Sequence, residues 1–409
     1  MITLQRCVVF SVAFLVAGVT AWRVIVTNFA DRYASVEPEP ALALEPHHPG
    51  ALLALAQREL RDKHPQAAVT AARELLRHEP LEGRAFSVLA TAAEEVGDIT
   101  QARTLYEIAV LREPRDLHSR AWIIEALLRD GYYDEALAQI NVLLRISPGQ
   151  GSKLFPVLVK LADAPEFSQA LTRILGSQPT WGDGVLSALL ARGSVGAVDA
   201  VFGALQREGI LSVEESGRWL DRLIKAGLWG EAYSRWAGGL ALAPGEVLPV
   251  VYNGGFETEP TNIGFDWRIS NSAGVTIGRV PAIGATGAFA AKVAFSGRRV
   301  PQVNFEQTLL LAPGTYLLHF RARAEALSSD RGLQWAIACQ GERAPLAVSA
   351  LLEGSFDWRQ FDTPFVIPAN NCPAQRLRLH NPGAAAAGKT VLGDIWIDDV
   401  AISATIVPR

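Results

Sequence analysis

Residues 81–114 read LEGRAFSVLATAAEEVGDITQARTLYEIAVLREP, and the fold of the first half of the chain follows from how this stretch recurs. Its last residue belongs to a series, because Pro46, Pro80, Pro114 and Pro148 stand 34 residues apart. Within the stretch, Ala102 lies twelve residues before its proline and Gly97 five before that. The same two steps back from Pro80 and Pro148 reach Ala68 and Lys63, then Ala136 and Gly131. A small side chain suits the close crossing of two helices, and glycine suits a left-handed turn between them. Glu45, Glu79 and Glu113 precede their prolines. A residue in that position is pushed out of the helical region, so the second helix of each unit stops there. A fixed period of this length marks stacked helix-turn-helix units, none of which buries its apolar face alone.

Position by position, Phe86, Leu89, Ala90, Gly97, Ala102, Tyr106, Ala109 and Pro114 resemble the tetratricopeptide repeat. The flanking units match less fully, the first through Leu52, Leu55, Ala56, Ala68 and Pro80, the third through Ile123, Gly131, Tyr133, Ala136 and Pro148. Trp219, Leu220, Gly227, Ala232, Trp236 and Pro244 keep the same offsets further on. Between them, Phe155–Leu161, Phe167–Leu175, Val185–Leu190 and Val198–Leu205 carry apolar residues at helical spacing, punctuated by Pro165, Pro179 and several glycines. The expectation is an α-solenoid, with three repeats over 47–148 and degenerate helical repeats over 149–246. The resemblance implies a protein partner held on the concave face of the first helices. In this register Glu59, Arg84, Glu94, Arg120 and Glu125 are the expected exposed contacts.

The N-terminus carries no charge from Cys7 to Trp22, and Val24–Val26 extend the run past Arg23 to about 20 apolar positions, near the span of a bilayer. Arg23 lies near one end, where its stem reaches the headgroups. The reading preferred is a transmembrane anchor over 1–29, followed by a linker and the start of the helical region over 30–46. The competing reading is a signal peptide cleaved after the small-residue run Val19-Thr20-Ala21. Cys7 sits too early for a lipoprotein acylation box. Arg6 on one side faces Arg23 and Arg32 on the other, so the positive-inside rule decides little. Of three cysteines, Cys339 and Cys372 remain outside the apolar segment. An even pair in an exported domain reads as a disulfide, against two unrelated buried thiols. These features favour a single-pass protein of a bacterial inner membrane with its body in the periplasm.

With 409 residues, 49% hydrophobic and 20% charged, the chain can bury two cores, and a net charge of -4 offers no footprint for nucleic acid. His47 and His48 are the only adjacent histidines, with no cysteine or acidic partner at metal-ligand spacing in the sequence, so they read as an exposed loop. Phosphate-loop, Gly-x-Ser-x-Gly and His-Glu-x-x-His patterns are absent. Paired carboxylates such as Glu94-Glu95 and Glu214-Glu215 sit on repeat helices, where solvated faces are ordinary. The chain reads as a non-enzyme.

At Pro244-Gly245 helical spacing gives way to short alternating segments, among them Val275–Arg279, Ala291–Phe295, Thr315–Arg323, Leu333–Cys339, Phe361–Ile367, Arg376–Leu379 and Ile395–Ile402. Ser296-Gly297, Pro313-Gly314, Glu353-Gly354 and Pro382-Gly383 read as turns between them. Seven or more such strands predict an antiparallel β-sandwich over 247–409. The opening VYNGGFE of 251–257, GFDW of 264–267, LAPGTY of 311–316, FDWRQF of 356–361 and the closing IWIDDV of 395–400 resemble the jelly-roll carbohydrate-binding modules. That resemblance implies a structural calcium held by Glu257 and one of Asp398 or Asp399, against a turn-capping glutamate and solvated aspartates. It also implies a polysaccharide ligand, for which a sugar face needs an aromatic platform with polar groups beside it. Trp358 and Trp396 lie in the framework motifs and are both expected in the core, where alternation puts Trp396 on the face of Val400. Trp335, with Arg331 and Gln334, is the expected exposed platform, with core packing as its competing reading.

Three functional classes follow. The first is a membrane-anchored scaffold of exopolysaccharide or O-antigen assembly or export, an architecture that resembles repeat proteins found with such systems. The second is a general envelope assembly factor whose sandwich binds protein or only closes the solenoid. The third is a glycan-active enzyme.

Overall fold

The structure of the chain is a computed structural model that describes residues 2–240, 242, 247–382 and 390–405, with side chains from residue 14 onward. The side chain of Cys7, and Pro244, Gly245 and Gly383, lie outside the described residues. The chain divides into two compact units, Met1–Ala188 and Leu189–Arg409.

The first unit opens with α1 (Ile2–Ala34), whose stretch Phe14–Ala34 is long and apolar enough to cross a membrane. Phe14, Leu15 and Trp22 are exposed along it. The segment 30–46, expected to hold a linker and the start of the helical region, is largely helical: α1 continues to Ala34 and α2 (Pro38–Leu44) follows, with Ala30, Ala34, Ala41 and Ala51 forming a small buried cluster. Then come the hairpins α3/α4 (Pro49–Arg61, Pro65–His78), α5/α6 (Gly83–Glu95, Ile99–Arg112), α7/α8 (Leu117–Arg129, Tyr133–Ile146) and α9/α10 (Gly151–Leu161, Pro165–Gly176). The first helices begin at residues 49, 83, 117 and 151, so the 34-residue period runs one unit beyond its last proline. Prolines start α3 and α4, where a missing N–H costs nothing. Asp98 and Asp116 cap α6 and α7 by accepting from backbone N–H groups. Lys63, Gly97 and Gly131 take positive φ between paired helices, the conformation read from the sequence. Glu79 and Glu113 leave the helical region before their prolines. Ala68, Ala102 and Ala136 are wholly buried at the crossings.

In the second unit, which takes in the end of α11 (Gly182–Arg192), α12 (Val195–Arg207) packs on α13 (Val213–Lys225), and α13 on α14 (Trp229–Gly238). Ser212 and Glu215 form a reciprocal capping box on α13. Gly227 takes the left-handed turn before α14, and Trp219, Ala232 and Trp236 are buried. Trp236 packs on Tyr252 and Phe265, and Asp221 pairs with Arg268 at 2.5 Å. The last helices therefore close against the sandwich within one compact unit.

The sandwich has two antiparallel five-stranded sheets. One runs β1 (Arg268–Ile269), β4 (Phe305–Leu309), β9 (Gln375–His380), β6 (Gln334–Cys339), β7 (Ala347–Val348). The other runs β2 (Val275–Pro281), β3 (Phe289–Arg299), β10 (Thr390–Ala404), β5 (Gly314–Ser328), β8 (Gly354–Ile367). Phe256, Trp267, Phe305, Phe320 and Trp335 form an aromatic centre between them.

Three sequence expectations are corrected here. Trp335 is 0% exposed, because β6 pairs with β9 and β7 on either side and aims Trp335, Ile337 and Cys339 inward. Its ring lies 5.8 Å from Trp267 and 5.4 Å from Phe305, so it cannot serve as a platform. Trp396 does not share the face of Val400: Asp399 takes φ +53 and the β10/β5 register shifts between Asp398 and Ala401. One extra residue in a strand reverses the alternation beyond it. Ile395 and Ile397 point inward on one side of the bulge, Val400 and Ile402 on the other, and Trp396 faces out. Ser296-Gly297 is likewise no turn, since β3 passes through it with Gly297 at φ +78.

Candidate functional site

Successive first helices of the first unit frame a cavity of about 910 Å³, lined by residues of α3, α5, the turn after α6 and the start of α7 that include Arg61, Arg84, Thr91, Arg115 and His118. A polar network forms one wall. The buried Tyr106 of α6 donates to Glu94 Oε2 at 3.0 Å, and its hydroxyl also meets Thr91 Oγ1 at 3.0 Å and His118 Nε2 at 3.3 Å. Burial holds the Tyr106 hydroxyl well above the ordinary phenol pKa, so it stays a protonated donor. Trp122 stacks on the ring at 4.6 Å. Arg84 is exposed and paired with Glu82, whose carboxylate raises the guanidinium's pKa further. Arg61 and Arg115 are exposed and have no ion-pair partner among the described residues. The groove thus offers Arg61, Arg84 and Arg115 beside the carboxylates of Glu113 and Asp116, over an apolar floor at Leu60 and Val88.

Of the five expected contacts, Arg84 lines this groove and Glu94 braces its wall, while Glu125 is exposed on α7. Glu59 is half-buried and engaged with His64 at 3.1 Å. Arg120 corrects the expectation: it is 4% exposed, bonded to Gln139 and to the carbonyl of Pro114 at 3.0 Å. Burial lowers its pKa. It staples one repeat turn to the neighbouring helix and is not a surface contact. His118 was not singled out from the sequence, although it stands 34 residues after Arg84 and so shares its register.

On the second unit, the outward face of the β2-β3-β10-β5-β8 sheet collects the aromatic and charged groups that sugar recognition requires. Trp396 sits between Lys292 at 4.7 Å and Arg323 at 5.0 Å, its cross-strand partners on β3 and β5. Cations over an indole face are held by its quadrupole, and the pair covers the ring. Trp358 is half-exposed on β8, its Nε1 donating to the carbonyl of Ile283 at 2.9 Å, with Arg321 at 5.5 Å from the ring. Arg321 is itself aimed by Thr286 Oγ1 at 2.9 Å and the carbonyl of Gly284 at 3.2 Å. These groups border a shallow cavity of about 850 Å³ with Arg323, Glu325, Phe356 and Asp357. Trp358 thus corrects the expectation of a core position, and alternation counted back from the buried Phe361 is the signal in the sequence that places it outward. Arg331 is exposed and Gln334 half-buried at the far sheet, away from this cavity's lining.

At the residues expected to hold a calcium, the carboxylates are engaged by backbone N–H groups. Glu257 Oε1 accepts from the N–H groups of Ala288 and Phe289 at 3.0 and 3.1 Å. Asp398, 0% exposed, accepts from Thr286 N at 2.6 Å and from Asp399 N at 2.7 Å. The nearby carbonyls of Phe256 and Glu257 are taken by the Arg279 guanidinium at 2.7 and 2.8 Å, a cation beside the place where another would enter. Calcium takes six to eight oxygens, and in this arrangement N–H donors face Glu257 Oε1 and both oxygens of Asp398. Asp399 turns away to His319 Nε2 at 3.4 Å. As arranged, Glu257 and Asp398 fasten the turn that carries Thr286 and Gly284, and hence Arg321. Cys339 and Cys372 are joined by a disulfide that ties β6 to the segment before β9.

A family model described as Tetratricopeptide repeat matches residues 87–151. None of the curated proteins matches the chain. Among solved structures, Family 16 Carbohydrate Binding Module-2 is 18% identical over 38% of this chain and 99% of its own, with a TM-score of 0.27. TmCBM61 in complex with β-1,4-galactotriose is 18% identical over 39% of this chain and 100% of its own, with a TM-score of 0.27. MamA is 13% identical over 42% of this chain and 88% of its own, with a TM-score of 0.26.

Proposed function

We propose that the chain is a non-enzymatic, membrane-anchored periplasmic scaffold for bacterial exopolysaccharide or O-antigen assembly or export. The repeat groove holds an acidic segment of a protein partner, and the sandwich contacts glycan on its Trp358 face. The observation that carries the glycan contact is the half-exposed Trp358 ring beside Arg321, with Arg323, Glu325 and Asp357 bordering one cavity. An aromatic face covers the apolar side of a pyranose while the charged groups take its hydroxyls. Arg61 and Arg115, exposed on a lining whose acids Glu113 and Asp116 accept from backbone N–H groups, support a partner segment rich in carboxylates. The Phe14–Ala34 helix supports a single membrane span, and the disulfide supports an oxidising compartment.

The test is affinity electrophoresis of the full-length protein in detergent through gels containing bacterial polysaccharides. Wild type is expected to be retarded, and Trp358→Ala to weaken binding about tenfold, about 1.4 kcal/mol, with an unchanged melting temperature. A second reading has its own observation: Trp236 seals the last helices onto Tyr252 and Phe265, as expected of a sandwich that is a structural end-piece in a general envelope assembly factor. Free migration of wild type in every gel favours that reading.

A further inference from the structure

The turn between α2 and α3 brings together side chains that are distant in sequence. His47 on the turn faces Glu74 and His78, one helical turn apart on α4. His47 Nδ1 lies 3.6 Å from Glu74 Oε1, and His78 Nε2 lies 3.3 Å from the same oxygen. The three ligand atoms fall within 4.8 Å of one another, and the two imidazole rings are 4.1 Å apart. Nitrogen and oxygen ligands about 2.0–2.1 Å from a tetrahedral metal stand about 3.3–3.4 Å apart, a spacing the His78 edge has at 3.3 Å and the His47 edge exceeds slightly at 3.6 Å. The turn is fixed from below. His48, buried, bonds Asp31 at 2.9 Å through Nε2 and accepts from Ala51 N through Nδ1, capping α3. With His48 anchored inward, His47 is presented outward to α4. Glu74 Oε2 accepts from Arg77 at 2.5 Å, which leaves Oε1 for the histidines.

We propose that His47, Glu74 and His78 form a binding site for a zinc-type divalent transition ion, with an open fourth position. Two imidazoles and one carboxylate select such a metal over calcium or magnesium, which take oxygen ligands. His47 and His78 are exposed and Glu74 is half-buried, so the ion enters without unpacking the repeat, and the fourth position takes water or a side chain from a partner. Bound metal ties the α2/α3 turn to the end of α4.

The experiment is calorimetric titration of metal-free, full-length protein in detergent with zinc, together with cobalt(II) absorption. One saturable zinc per chain at micromolar affinity is expected, with a tetrahedral cobalt spectrum. His47→Ala and His78→Ala should each weaken binding at least about tenfold and abolish the cobalt band. Arg77→Gln should tighten binding, because the guanidinium competes for Glu74. His64→Ala is the control, removing an exposed histidine that meets Glu59 and leaving the affinity unchanged. Equal zinc affinity in wild type and His78→Ala overturns the proposal. So does an equal loss in His64→Ala, or no saturable uptake by wild type.

Discussion

Single residues here act through what they face, as His380 on β9 illustrates. Burial, and then the neighbouring Arg378, hold its pKa below the ordinary imidazole value. The unfolded chain takes up this proton near about pH 6.5, and the folded chain only at lower pH. Below that point the unfolded state binds more protons, so stability present above about pH 6.5 is lost as pH falls through the folded pKa. His380→Gln keeps a polar side chain without the titration. Its melting temperature is expected to drop less than that of wild type between about pH 7 and pH 5, read by differential scanning fluorimetry at both values; equal drops would place the acid sensitivity elsewhere. Residue-scale roles were legible where a local rule fixed them. The left-handed turns at Lys63, Gly97 and Gly131 followed from offsets to proline. The fates of Arg120 and Trp335 did not, because Gln139 and β7 reach them from sequence-distant elements.

At the scale of elements, the helices were legible and the bulges were not. A 34-residue period is a local signal repeated, and it placed α3 to α8 and the turns between them. The β10 bulge sits on Asp399, a non-glycine residue that takes positive φ while its neighbour's buried carboxylate bonds the 284–289 turn. Nothing in IWIDDV announces that reversal, so alternation counted through the motif puts Trp396 on the wrong face. The repeat crossings carry their own prediction. Ala102 is wholly buried between α5 and α6, beside Ala90 and Tyr106. Ala102→Leu should cost about 1–3 kcal/mol by overpacking and should broaden the Tyr106 and Trp122 signals in near-ultraviolet circular dichroism. An equally large leucine at the exposed Thr104 is expected to change stability within about 0.5 kcal/mol. If the two variants melt alike, the crossing is looser than its burial indicates.

For the whole molecule, membrane topology and disulfide chemistry are linked, and one measurement addresses both. The Phe14–Ala34 helix is apolar enough to span, yet arginines on both sides leave its direction undecided by charge. The cysteines report direction independently, since a thiol pair stays reduced in the cytosol and oxidises outside it. Cys339, the last residue of β6, and Cys372 are 33 residues apart and enclose β7 and β8. Closing a loop of that length stabilises a fold by roughly 3–4 kcal/mol in the chain-entropy account. A sandwich whose body lies in the periplasm should therefore arrive oxidised. Cells quenched in acid and alkylated with a mass-tagged maleimide are expected to show both thiols protected, and labelled only after reduction. Cys372→Ser should then lower the melting temperature of the purified protein, with no further fall on adding reductant, whereas wild type falls to meet it. Quantitative labelling of Cys339 and Cys372 in unreduced cells would put the body on the cytosolic side. The glycan proposal would go with it, because a polymer outside the membrane could not reach Trp358.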